Sequence, residues 1–300
     1  MAAPSDLSER RDVTGVAVLE SAEVREIIRR ALAEDGVFND ITTDTLIAPE
    51  QSGTGVLLAK EAGVVAGIPV AAAVFAEIDP DVSLTPLVVE GSRVQPGVEL
   101  AHLRGRYSSM LRAERVALNL LQRMSGVATM AAHAVELVSG LPVRVVDTRK
   151  TTPGLRPLEK YAVRTGGAHN HRYNLADGIL IKDNHLAALR AREQGIADAV
   201  RLARAAAPHT IRIEIEVTTL EEVDDALEAA ADIILLDNMT LDDMRIAADR
   251  CQGHALSEAS GGITLANLRA VAETGVDIIS LGALTHSAKA LDISLELATD

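Results

Sequence analysis

The chain has no tryptophan, and only two phenylalanines and three tyrosines among 300 residues. Nucleic-acid surfaces use aromatic platforms set in a basic field. This chain lacks both, because 43 acidic residues outnumber 29 basic ones and leave a formal net charge of -14. No nucleic-acid partner is expected. The single cysteine, Cys251, excludes an internal disulfide and fits a reducing, cytoplasmic setting. No apolar run approaches the roughly 18 residues that a membrane-spanning helix needs, so no membrane partner is expected. The opening residues, MAAPSDLSERRDVTG, lack the apolar core of a signal peptide. Residues 1–20 read as a loose lead.

What is present is a large aliphatic fraction, 48% hydrophobic overall, enough for a sizeable core without disulfides. Ser21 reads as the N-cap of a helix with Val24, Ile27, Ile28, Ala31 and Leu32 at helical spacing. From Gly53 to Gly105 the texture is β, with strand-like runs at 56–59 and 87–89 and a helix over 69–78. A long helical region spans 108–139, with a break expected at Ser125-Gly126. After Pro142 strands and helices alternate. Strands are expected at 143–147, 178–182, 211–217, 232–237, 254–258 and 277–281, and helices at 186–206, 220–230, 241–250 and 265–275. Six strands with helical crossovers imply a parallel α/β arrangement, with ligand groups at the carboxyl ends of the strands.

Those strand ends are polar. Residues 147–185 carry seven cations, Arg149, Lys150, Arg156, Lys160, Arg164, Arg172 and Lys182, against four acids, Asp147, Glu159, Asp177 and Asp183. A basic island in an acidic chain suits a small, multiply charged anion. Glu216 and Asp237 close two consecutive strands, where they could hold Mg2+, bind sugar hydroxyls or act as an acid/base pair. Ser260-Gly261-Gly262 before a helix offers bare backbone N–H groups to a phosphate, and Gly282 with Thr285-His286-Ser287 offers a second such loop. His169, His171, Asp183 and His185 also permit a zinc reading, which the interleaved Arg172 and Lys182 oppose. One rim thus gathers a carboxylate pocket, two acids and a phosphate cradle. That set fits an enzyme that joins an anionic acid to a phosphorylated sugar or cleaves such a compound.

At these residues the sequence resembles the quinolinate phosphoribosyltransferase family, within the type II phosphoribosyltransferases. The resemblance covers almost the whole chain and is carried by AERVALNLLQRMSGVAT, DTRKTTPGLRPLEKYAVRTGG, NHRYNL, IKDNH, EIEV, ILLDNM and EASGGI together. Ala168 stands where a third glycine is expected after Gly166-Gly167.

The resemblance implies an α/β fold, an incomplete (β/α) barrel beside an N-terminal α/β sandwich domain to which the C-terminal tail returns. The implied division is 1–117 with 288–300 for the sandwich and 118–287 for the barrel. It implies the substrates quinolinate and phosphoribosyl pyrophosphate with Mg2+ and no organic cofactor, giving nicotinate mononucleotide, pyrophosphate and CO2. Arg149, Lys150, His171, Arg172 and Lys182 would surround quinolinate, joined by Arg115 across a homodimer with shared sites, alone or within a higher oligomer. Glu216 and Asp237 would hold the ribose hydroxyls and the metal. Ser260, Gly261, Gly262, Gly282 and His286 would cradle the 5′-phosphate, and Lys150, Lys182, Glu216 and Asp237 would be the catalytic group. The alternatives are a relative acting on nicotinate or another pyridine, a metal-dependent barrel lyase or aldolase, and a non-catalytic dimeric binding protein.

Overall fold

The computed structural model describes Leu19 and residues 21–298. Apart from Leu19, the expected lead over 1–20 lies outside the described residues. The chain divides into two compact units. The first gathers the described residues up to Ala132, Thr151–Gly167 and the tail from Ser287, and the second holds His133–Lys150 and Ala168–His286.

In the first unit, Ser21 caps the helix Ala22–Asp35 by accepting the N–H of Val24, and Val24, Ile27, Ile28 and Leu32 are buried. That helix and the helix Ile68–Ile78 meet, and the latter packs on a sheet strand. The sheet is antiparallel and four-stranded, in the order β12-β1-β5-β3. Its members are β1 (Ser52–Ala59), β3 (Ser83–Pro86), β5 (Glu99–Arg106) and β12 (Ile293–Ala298). The tail returns here, with Thr54 opposite Ala298 and Ala59 opposite Ile293. A two-stranded ribbon pairs β2 (Gly63–Val64) with β4 (Arg93–Val94). The strand expected at Leu87-Val88-Val89 is not formed. The ladder stops at Pro86, which has no N–H to donate, and Leu87 and Val89 are left 46% and 73% exposed.

The break expected at Ser125-Gly126 is also absent, because one helix runs unbroken over Tyr107–Leu137. The two small residues serve close packing instead. The Ser125 hydroxyl bridges the N–H and C=O of Ala66, and a Cβ on Gly126 would overlap the carbonyl oxygen of Lys289. Three residues earlier on the same helix, Arg123 binds the buried Glu159 carboxylate at 2.7 and 3.0 Å and donates to the Ala288 carbonyl. Glu159 also takes the N–H and hydroxyl of Thr152, which fixes the start of the 151–159 segment.

The second unit is a six-stranded parallel sheet in the order β6-β11-β10-β9-β8-β7. The strands are β6 (Arg144–Val146), β7 (Ile179–Ile181), β8 (Ile213–Val217), β9 (Ile233–Asp237), β10 (Leu256–Ser260) and β11 (Ile278–Ser280). The sheet is open between β6 and β7 and so forms an incomplete barrel. Ile213, Ile215, Ile234, Leu236, Ala259 and Ile279 are wholly buried. The helix expected over 186–206 is two, Asp183–Arg190 and Ile196–Ala206, parted by a turn in which Glu193 takes a positive φ. The helix expected over 265–275 shrinks to Leu268–Ala272. β10 starts two residues later than the apolar pattern suggests, because Cys251 accepts the N–H groups of His254 and Ala255 in a turn. That shift carries the strand through Glu258 to Ser260. Among the described residues no helix is long and apolar enough to cross a membrane.

The Gly126 contact gives a stability prediction. Gly126→Ala forces a methyl group into backbone and should destabilise the protein by about 1–3 kcal/mol. Gly178→Ala, where a Cβ meets nothing within 4 Å, should melt close to the parent. Paired thermal denaturation checks both.

Candidate active site at the carboxyl ends of the parallel strands

The site is built outward from the end of β6. Asp147 follows the strand and is wholly buried. Its carboxylate accepts the backbone N–H of His171 at 2.8 Å and the side-chain amide of Asn170 at 2.7 Å. The backbones of 145–147 and 169 also pair, Asp147 N–H to His169 O at 3.0 Å and His169 N–H to Val145 O at 2.9 Å. These bonds lay the 169–172 segment beside the β6 end, two residues from Arg149.

His171 then turns inward. Its Nε2 lies 3.3 Å from Glu214 Oε2 and 3.5 Å from Glu258 Oε1, and its Nδ1 accepts the N–H of Arg172 at 2.8 Å. Burial pulls the imidazole toward the neutral form, but the two carboxylates outweigh it and raise its pKa to about 10. Burial likewise pushes the Glu214 carboxyl up, helped by the Glu258 charge and opposed by His171. Both shifts mean that the trio keeps a proton well above neutral pH. With the Nδ1 lone pair spent on Arg172 N–H, that proton sits on the Nε2–carboxylate side. Ligand atoms of His171, Glu214 and Glu258 lie within 4.8 Å of one another, the spacing of a metal site. A metal there would need the Nε2 lone pair and hence a proton on Nδ1, where a donor already points.

Arg172 donates from Nη1 to the Gly178 carbonyl at 3.1 Å. Its pKa is lowered, first by burial and then by the neighbouring Arg149 charge, with Glu214 opposing. Two guanidiniums whose charges act on each other suit a ligand with more than one negative group. On β7 and β8, Lys182 Nζ meets Glu216 Oε2 at 2.6 Å. At the end of β9, Asp237 Oδ2 accepts the side-chain amide of Asn238 at 2.8 Å. Asn238 holds a left-handed φ of 54° and donates its N–H to Ser260 O at 3.0 Å. It stitches the ends of β9 and β10, where Ser260 sits opposite Asp237. Gly261 has φ 82°, and a Cβ on it would lie 2.5 Å from Asn238 Oδ1, so the cradle needs glycine twice over. Beside β11, a Cβ on Gly282 would lie 3.2 Å from both His286 Nε2 and Lys150 Cδ, and Thr285 Oγ1 donates to Lys150 O at 2.8 Å.

Of the residues singled out in the sequence, Arg149, Lys150, His171, Arg172, Lys182, Glu216, Asp237, Ser260, Gly261, Gly262, Gly282 and His286 all lie in the second unit, at or just beyond strand carboxyl ends. The stem of Lys150 lies with Gly282 and His286 of the phosphate loop. Arg115 is an exposed residue of the first unit, on the helix Tyr107–Leu137. Among the described residues the His169, His171, Asp183 and His185 set does not assemble into a metal site. His185 Nδ1 instead accepts the N–H of Lys182, and Asp183 caps Asn184. Three participants carried no role in the sequence reading: Glu214, Glu258 and Asn238. The available signal was an acid within an otherwise apolar strand, alternating with Ile213 and Ile215.

Fold and site together define a parallel α/β protein that gathers cationic side chains, two acids and glycine-rich turns at the carboxyl ends of its strands. A family model described as the quinolinate phosphoribosyl transferase C-terminal domain matches residues 127–296, and its N-terminal counterpart matches residues 40–125. The chain belongs to the quinolinate phosphoribosyl transferase family. A Bacillus subtilis relative named "Probable nicotinate-nucleotide pyrophosphorylase [carboxylating]" is 42% identical, covering 92% of this chain and 93% of its own. A Mycobacterium leprae nicotinate-nucleotide pyrophosphorylase [carboxylating] is 43% identical over 91% of this chain and 96% of its own. Among solved structures, the nicotinate-nucleotide pyrophosphorylase from Francisella tularensis superposes with a TM-score of 0.86 at 38% identity, covering 92% of this chain and 96% of that one.

The buried trio predicts a pH dependence. The trio of His171, Glu214 and Glu258 holds its proton more tightly than separate groups would, with His171 raised from 6.5 to about 10, so as a unit it keeps in the folded state a proton that the unfolded state has released. The stabilisation is complete below about pH 6.5 and is lost as pH rises through 10, with a limiting slope of about 1.4 kcal/mol per pH unit for one proton. The melting temperature should therefore fall between pH 7 and 10. The fall should be shallower in Glu258→Gln, as thermal melts across that range would register.

Proposed function

We propose that this protein transfers the phosphoribosyl group of phosphoribosyl pyrophosphate to quinolinate with loss of CO2, giving nicotinate mononucleotide and pyrophosphate in NAD biosynthesis. Family membership supports the reading. The observation that carries it is the gathering of Arg149, Arg172 and the Lys182–Glu216 pair in one unit, on the segments that leave or adjoin the carboxyl ends of its parallel strands. Quinolinate has two neighbouring carboxylates, which two guanidiniums can bind through paired N–H donors. Lys182 links that cationic side to the acids that face the sugar.

Glu216 and Asp237 would hold Mg2+. Carboxylate oxygens are the donors this ion takes, and each of the two engages a side-chain donor through one named oxygen, Oε2 and Oδ2. When bound, the ion would neutralise charge on the departing pyrophosphate.

The chain's own residues do the rest. Arg149, Arg172 and Lys182 orient the pyridine so that its nitrogen faces ribose C1. Ser260, Gly261, Gly262, Gly282 and His286 hold the 5′-phosphate, and Lys150 adds its charge there. As the bond from nitrogen to C1 forms and the bond from C1 to pyrophosphate breaks, positive charge develops on the sugar. Glu216 and Asp237 stabilise it electrostatically, so no protein nucleophile is required. The quaternised ring then accepts the electron pair left when the carboxylate beside nitrogen departs as CO2, and that carbon takes up a proton. Arg115 would reach this site from the partner subunit of a homodimer.

Purified protein given quinolinate, phosphoribosyl pyrophosphate and Mg2+ should release nicotinate mononucleotide and CO2 together, and nicotinate should not substitute. Glu216→Ala and Asp237→Ala should each cut turnover by about 10²- to 10³-fold, and a chelator should stop the reaction until Mg2+ is restored. Near-normal turnover in both variants would remove these acids from the mechanism. For the shared site, mixing inactive Arg115→Ala with inactive Lys182→Ala subunits should restore part of the activity, since one composite site in the heterodimer is intact. Verified heterodimers without recovery would place Arg115 elsewhere.

A further inference from the structure

We propose that Glu214 and Glu258, acting through His171, are positioning residues that aim Arg172 at the substrate's carboxylates, and that His171 itself presents no ring nitrogen to the substrate. The inference rests on the pyridine dicarboxylate reading above and deepens it.

The ring's engagement is the first observation. Nε2 faces Glu214 and Glu258, and Nδ1 receives Arg172 N–H, so both nitrogens are taken up inside the protein. A third bond fixes the backbone, since His171 N–H goes to the buried Asp147. The imidazole therefore bridges two interior strands to the main chain of the next residue. A ring in that state is a strut.

The acids are the second observation. Glu214 on β8 and Glu258 on β10 are 4% and 1% exposed, and the Oε1 atom of each is buried without a hydrogen bond. Buried carboxylates are costly unless something nearby needs their charge or their acceptors. Here His171 Nε2 lies 3.3 Å from Glu214 Oε2 and 3.5 Å from Glu258 Oε1, and the Glu214 charge favours a charged Arg172 against the pull of Arg149. Glu214 thus offsets part of the Arg149 charge at Arg172 before any substrate arrives.

Arg172 is the third. Its main chain is held by His171 Nδ1 and one amino group of its guanidinium by the Gly178 carbonyl. An arginine fixed at both ends retains further N–H donors in a set direction, as paired carboxylate recognition requires.

The full-length protein would be compared as Glu258→Ala, Glu258→Gln, His171→Ala and His171→Asn, with quinolinate and phosphoribosyl pyrophosphate varied separately. Glu258→Ala and His171→Ala should raise KM for quinolinate by roughly 10- to 100-fold, while KM for phosphoribosyl pyrophosphate stays within about 2-fold. Glu258→Gln should recover most of that loss, because its amide has the same shape and keeps an oxygen facing Nε2–H. His171→Asn should also recover much of it, because Asn Oδ1 can take the Arg172 N–H.

If His171→Asn is as impaired as His171→Ala while Glu258→Ala binds quinolinate normally, His171 touches the substrate and the inference is wrong. Parallel loss in kcat and both KM values, with a matching fall in melting temperature, would reduce the trio to a structural element and also overturn it. Should the parent fail to turn over quinolinate at all, the functional reading falls and this inference with it. A parent that turns over normally alongside variants with no selective KM change sinks the inference alone.

Discussion

A wholly buried carboxylate must find donors, and Asp147 finds them in the segment that carries the site. It sits at the end of β6, where two further residues reach Arg149 and Lys150, and it accepts from Asn170 and from His171 N–H. Those two acceptor contacts add to the short backbone pairing around Val146 and His169 in tying residues 169–172 to the strand end. Both groups of cations therefore depend on one acid that never meets solvent. The cost of leaving such a group unpaired, several kcal/mol in an apolar setting, makes the segment's position obligatory.

The sheet order explains how the remaining groups meet. β6 lies beside β11, although some 130 residues separate them, and the order then runs back through β10, β9 and β8 to β7. Following that order along the rim, the strand ends present Arg149 and Lys150, then Gly282, then Ser260-Gly261, then Asp237, then Glu216 and last Lys182. Parallel strands all end on the same side, so a one-residue register slip in any strand would turn that strand's contribution to the rim to the wrong face. The Ser260–Asp237 pairing and the Asn238 stitch guard the register where the cradle and the acid adjoin.

Much of this was readable from the sequence. The alternation of strands and helices after Pro142 marked the sheet, and each strand's polar exit marked the rim. Motifs with a local cause were legible: the Ser21 cap, the Ser-Gly-Gly turn, and the Arg-Lys and Lys-Asp-Asn-His strand ends. What escaped had a cause elsewhere in the chain. Ser125-Gly126 looks like a helix break because small residues signal both breaks and close approaches, and only the tail at Lys289 decides between them. Leu87-Val88-Val89 has the composition of a strand, but past the Leu87 N–H, which donates to Leu100 O at 2.9 Å, no ladder continues among the described residues. Glu214 and Glu258 carry no role in the sequence until the sheet sets them facing the same imidazole. Lys150 follows Arg149 in sequence, yet its stem lies with Gly282 and His286, because successive residues leaving a strand point to different sides.

The acids beneath the cations also resolve a tension in the chain's charge. With net charge -14, long-range attraction for a dianion is poor, and a pocket of bare guanidiniums would have to overcome its own repulsion while empty. Glu214 opposes that repulsion at Arg172, and Glu258 joins it in facing His171. Being buried in strands, they cannot swing round to compete with the substrate for the same donors. A surface acid could offset the charge equally well, but it would also be free to occupy the pocket. Burial is therefore what separates a counter-charge that prepares the site from one that would block it, and the strand positions of these two residues secure that burial.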